Sequence, residues 1–191
     1  LLRFSPRQVT LSPGVAQTVR VLLRKPENLP PGEYRSHLLF QRVAEGQDQP
    51  AEPARESSST DIEIRLKAMI SVSVPVIVRH GETSATAELD KLTLTKASSG
   101  EPLLDLDLLR NGNRSLYGDI IVTFAPAGGA QVGVARVNGV AVYNPNPLRH
   151  ARLPLKPPPG VQLARGVLRV VYRERSEEGG KVLAERTLQL P

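Results

Sequence analysis

The chain has 191 residues, no cysteine and a formal charge of +6, which excludes a disulfide framework and a thiolate metal site. The charge is even, with 11 basic against 8 acidic residues up to His80 and 14 against 11 beyond it; with no Trp, three Phe and four Tyr, neither the basic stripe nor the aromatic platforms of a nucleic-acid binder are present. Seventeen Pro and fifteen Gly weigh against helices, and no apolar run approaches the roughly 20 residues that insert across a bilayer.

The chain opens Leu1-Leu2-Arg3-Phe4 without a charged-then-apolar leader, so it reads either as a product whose targeting peptide has been removed or as a fragment. Residues 7–12 (Arg-Gln-Val-Thr-Leu-Ser) are expected as a short strand, ended by the turn pair Pro13-Gly14. In residues 18–24, Val19, Val21 and Leu23 alternate with Thr18, Arg20, Leu22 and Arg24, which predicts a strand with one buried and one mostly wet face. Pro30-Pro31-Gly32 breaks the chain, and residues 34–43 form a third strand candidate. Residues 45–60, made almost wholly of Gly, Gln, Pro, Glu, Ala, Arg and Ser, are too polar to offset the entropy of ordering and are expected as a long solvated loop.

The segment that follows is the most informative. The even positions from 62 to 78 read Ile62, Ile64, Leu66, Ala68, Ile70, Val72, Val74, Val76 and Val78, so nine apolar residues share one face of a single strand. At about 3.3 Å per residue such a strand reaches about 55 Å, some three times the usual length. Pro75 cannot donate to a ladder, which places that position at an edge or a bend.

Gly81 opens a second unit. Strands are predicted over residues 87–95, 103–109, 116–124, 132–143, 149–155, 167–173 and 181–190. Explicit turns separate them, among them Ser98-Ser99-Gly100, Asn111-Gly112-Asn113, Gly128-Gly129 and Asn144-Pro145-Asn146-Pro147. Seven short strands at this spacing predict an immunoglobulin-like sandwich. The fold class is therefore all-β, with two tandem immunoglobulin-like β-sandwich domains: residues 1–80, incomplete at the N-terminus because four strands stand where about seven are wanted, and residues 81–191.

Phe4-Ser5-Pro6, Leu11-Ser12-Pro13-Gly14, Gln17-Thr18-Val19-Arg20-Val21, Gly32-Glu33-Tyr34-Arg35-Ser36-His37-Leu38 and Ser71-Val72-Ser73-Val74-Pro75-Val76-Ile77-Val78 follow one another in an order and spacing that resembles the fourth to seventh strands of the first domain of PapD-like periplasmic chaperones. These assemble pili by the chaperone–usher route, and the last of the five segments looks most like the archaic branch. The resemblance covers the first 80 residues. It implies a protein that lends the apolar side chains of its last long strand to an incomplete pilin or fimbrial subunit and delivers it to an outer-membrane usher, a mode of recognition known as β-strand addition.

On the same resemblance Ile62, Ile64, Leu66 and Ala68, continued by Ile70, form the subunit-binding strand, and Val72 to Val78 pack in the chaperone's own core. The family's first three strands and its cleft arginine have no counterpart here, which leads to the expectation that about 50 preceding residues are missing, at ordinary strand and loop lengths. The family's basic anchor for a subunit's terminal carboxylate falls near Ser73, so Arg65 or Lys67 is the candidate anchor, a cation able to make a charge-assisted hydrogen bond. A long apolar edge also carries the possibility of self-association.

The remaining polar residues read as architecture. His37, His80 and His150 lie far apart, so neither a metal site nor a cofactor is expected. Asp105 and Asp107 share a strand face and alternate with leucines, which predicts a wet face over a catalytic carboxylate pair. No nucleophile elbow or phosphate-binding glycine loop is present, and the protein is expected not to be an enzyme. Asn111-Gly112-Asn113 reads as a turn with Tyr117 closing over its own domain, the competing reading being a partner surface. The alternative to the chaperone reading is a non-catalytic immunoglobulin-like structural or adhesive module of a secreted or surface protein.

Overall fold

Eleven β-strands and no α-helix make up the described part of the chain, residues 2–43, 70–175, 177 and 179–191 of a computed structural model. They fall into two compact units: residues up to Glu33 together with Arg79–Pro191, and Tyr34–Val78.

In the first unit, β1 (Leu2–Ser5) pairs antiparallel with β2 (Arg20–Leu23). Leu2 lies opposite Leu23 and Phe4 opposite Val21, while Arg3 faces Leu22 and Ser5 faces Arg20. One side of this ribbon is therefore apolar and the other mixed. The strand expected over residues 7–12 is not formed: among the described residues none pairs with it, and alternation without a ladder partner does not make a strand. Pro13-Gly14 does make the expected turn, closed by Val15 N–H donating to the Ser12 carbonyl at 3.1 Å, with Gly14 at φ 77°. The strand expected over residues 18–24 shortens to β2, and the buried face expected of it is absent: Val21, Leu22 and Leu23 are all exposed.

The same unit holds seven further strands, β5 (Ala85–Lys96), β6 (Pro102–Gly112), β7 (Leu116–Pro126), β8 (Val132–Val142), β9 (Leu148–Pro154), β10 (Gly166–Arg173) and β11 (Val182–Leu190). They form a three-stranded sheet in the order β5-β6-β9 and a four-stranded sheet in the order β11-β10-β7-β8, antiparallel throughout. The inner faces share one core, to which β6 gives Leu104, Leu106 and Leu108, β7 gives Ile120, Val122 and Phe124, and β10 gives Leu168, Val170 and Tyr172. The period of two puts these residues on one side of each strand. The register sets Leu168 against Phe124, Val170 against Val122 and Tyr172 against Ile120. Each fully buried side chain of this kind stabilises the fold by about 1.5–3 kcal/mol. The polar tip of Tyr172 is satisfied inside this core: its hydroxyl donates to the Val140 carbonyl at 2.9 Å.

In the second unit β3 (Gly32–Gln41), whose first two residues still belong to the first unit, pairs with β4 (Ser71–His80) as a two-stranded sheet. Glu33 at the start of β3 meets Arg79 at the end of β4, so the two strands run antiparallel.

Candidate functional site

The β3–β4 ribbon is the feature that the sequence singled out. Its β4 carries the described part of the long alternating strand, and its apolar side chains are uncovered: Ile70 is 79%, Val72 58% and Val74 43% exposed, while Val76 and Val78 are half-buried. Packing of Val72 and Val74 into a core is thus not found, because among the described residues β4 has β3 as its single hydrogen-bonded neighbour. Leu39, Phe40 and Ile77 are exposed as well. Among residues 2–43 and 70–80, the buried positions are Gly32 and Glu33. Pro75, expected at an edge or a bend, lies inside β4, an edge strand among the described residues. Ile62, Ile64, Leu66 and Ala68, with the candidate anchors Arg65 and Lys67 and the polar loop over residues 45–60, lie outside the described residues.

Within the first unit, Glu33 and Arg79 belong to a polar cluster that was not read from the sequence. The Glu33 side chain is wholly buried; its carboxylate accepts from Arg79 Nε at 3.2 Å and from the Ser115 hydroxyl. Ser115 Oγ in turn accepts from the Asn144 backbone N–H at 2.9 Å, and Asn144 Nδ2 donates to the Glu33 carbonyl at 3.0 Å. Glu33 N–H donates to the Asn113 carbonyl at 2.9 Å. A carboxylate withdrawn from water costs several kcal/mol unless paired and hydrogen-bonded, and here both oxygens are satisfied.

The turn at Asn111-Gly112-Asn113 supports this cluster. Asn113 Nδ2 donates to the Pro31 and Glu82 carbonyls at 3.3 and 3.1 Å, and its Oδ1 accepts from Ser84 N–H at 2.9 Å. Gly112, at φ 113°, lies against the backbone of Ser84 and Ala85, where a Cβ would find no room. Arg110, also buried, donates to the carbonyls of Gly112, Arg114 and Asn146 at 2.6, 3.0 and 2.9 Å and to that of Pro145 at 3.3 Å. Tyr117 is half-buried with its ring under Arg175, which donates to its hydroxyl at 2.8 Å.

A second charged cluster lies on the outer face of the three-stranded sheet. Asp105 and Asp107 point away from the leucines of β6, as expected, but Asp107 is not wet: it is 7% exposed, covered by β9 and by a bulge in β5. Lys91, at φ 49° in that bulge, reaches Asp107 at 3.1 Å, and His150 Nδ1–H donates to it at 2.5 Å. Asp105 accepts from Arg152 Nε at 2.6 Å and from the Thr95 hydroxyl at 2.8 Å. The hydrogen bond from His150 holds the Asp107 carboxyl below its ordinary value despite the desolvation that opposes it, and Arg152 with Thr95 does the same for Asp105. Each carboxylate is saturated by neighbouring side chains, which makes the cluster a set of cross-strand ties.

The chain matches no protein-family model, no curated protein and no solved structure. The functional reading therefore rests on the residues themselves.

Proposed function

We propose that this protein is a periplasmic chaperone of the PapD-like, chaperone–usher type, built of two tandem immunoglobulin-like domains, which binds incomplete pilin or fimbrial subunits by strand addition and delivers them to an outer-membrane usher. The observation that carries the reading is the β3–β4 ribbon: a strand of alternating apolar residues, with a free edge among the described residues and Ile70, Val72 and Val74 open to solvent. Main-chain bonds along such an edge give affinity, and alternate side chains entering a partner's groove give specificity. The resemblance of the segments between Phe4 and Val78 to the chaperone family supports the same reading, and the complete second sandwich supplies a folded body that does not need those side chains for its own core.

The test is co-expression with the secreted proteins encoded beside this chain, followed by affinity purification. The expected result is a stoichiometric complex with one that is degraded or aggregates when expressed alone, lost in the double variant Val72→Asp/Val74→Asp. A double variant that retains the subunit as well as the parent would overturn the proposal and favour a structural or adhesive module.

A further inference from the structure

Pro75 divides β4 into two unequal halves. The Glu33 N–H and carbonyl are turned toward Asn113 and Asn144, away from β4. In an antiparallel ladder both main-chain groups of a residue point to the same side and alternate along the strand. It follows that the even-numbered residues of β3 bond β4. Glu33 and Arg79 meet through their side chains on one face, and facing positions on one side of the sheet keep the same parity. Odd-numbered residues of β4 therefore lie opposite odd-numbered residues of β3, and the main-chain groups of Ser71, Ser73, Pro75 and Ile77 point to the edge that has no strand neighbour among the described residues. Pro75 offers no N–H there, and its ring occupies the space where an incoming carbonyl would dock.

Exposure divides at the same point: Ile70, Val72 and Val74 before Pro75 are open, whereas Val76 and Val78 after it are half-buried. Resting on the strand-addition reading above, we infer that Pro75 is a register stop. An extended apolar strand of an incomplete secreted subunit bonds the edge at Ser71 and Ser73 and ends at Pro75, so the proline sets how far the guest strand runs toward the base of the ribbon. It also blunts this part of the edge against indiscriminate pairing.

Amide exchange followed residue by residue on the full chain tests this, with a short synthetic peptide of alternating valine and threonine, flanked by lysines, as the added strand. The peptide is expected to slow exchange at Ser71 and Ser73 by more than about tenfold, the scale of a newly closed ladder bond, and to leave Ile77 unchanged. In Pro75→Thr, which restores the donor with a good strand former, slowing extends to Ile77. Protection of Ile77 in the parent equal to that of Ser73, or an unmoved boundary in Pro75→Thr, overturns the stop while leaving strand addition intact. Absence of any change along β4 overturns strand addition and the stop with it.

Discussion

Replacing Val74 by aspartate separates a side chain held for a partner from one that holds the fold. At 43% exposure, Val74 has little more than half of its surface covered, so the change forfeits about half of the roughly 1.5 kcal/mol that full burial of a valine contributes, on the order of 1 kcal/mol, and confines that loss to the ribbon. Phe124, wholly buried between the sheets, is the control: Phe124→Ala costs about 3–5 kcal/mol. At about 4–8 °C per kcal/mol for a domain near this size, the control lowers the melting temperature of the sandwich by more than about 10 °C. Thermal unfolding followed by circular dichroism, alongside retention of a co-expressed subunit, reads both effects. The expected pattern is a sandwich transition unmoved by Val74→Asp with capture lost. A fall in melting temperature as large as that of Phe124→Ala would refute the reasoning, because Val74 would then belong to a core.

Gly112→Ala forces a side chain into the backbone of Ser84 at a left-handed φ and is expected to cost at least about 2 kcal/mol by chemical denaturation, from strain and clash together. Arg110→Lys keeps the charge but not the planar fork that serves four carbonyls, and it is expected to destabilise by about 1–3 kcal/mol through acceptors left unpaired; an unchanged denaturation midpoint would refute the bracing role of this side chain. Asp105, Asp107 and Glu185 all have folded-state pKa values below their ordinary 3.8, 3.8 and 4.5, set first by hydrogen bonds from Arg152, His150 and Arg169. A lowered folded value means stability that is fully present above the ordinary value and lost as pH falls through the folded one. Denaturation midpoints should therefore be level above about pH 5 and fall below about pH 4, less steeply in Asp107→Asn.

The seven strands of the sandwich were legible because explicit turn signals bound short runs rich in apolar and β-branched residues; residues 167–173, for example, were read against an observed Gly166–Arg173. The burial of Arg110 was legible in principle, since it shares parity with Leu104, Leu106 and Leu108 on the inward side of β6, and a cation there demands the carbonyls it finds. β1 was also within reach, as Leu2 and Phe4 alternate with Arg3 and Ser5. Other features were not local. Residues 7–12 show the same alternation as a true strand but have no ladder partner among the described residues, which no pattern within six residues reports. Glu33 looks like any surface glutamate until Arg79, Ser115 and Asn144, from three distant segments, close around it. Asp107 was placed on the correct face, but its cover comes from His150 and from a bulge at Lys91 that alternation alone does not reveal.

Site-specific photo-crosslinking from β4 bears most directly on a strand lent to another protein. A photoreactive phenylalanine analogue at Val72, with the same analogue at exposed Val182 on the sandwich as control, is irradiated in cells co-expressing the neighbouring secreted proteins. The expected product is a single adduct between position 72 and an incomplete subunit, absent from position 182. Equal adducts from both positions, or none from position 72 while a complex still forms, would contradict binding through this edge.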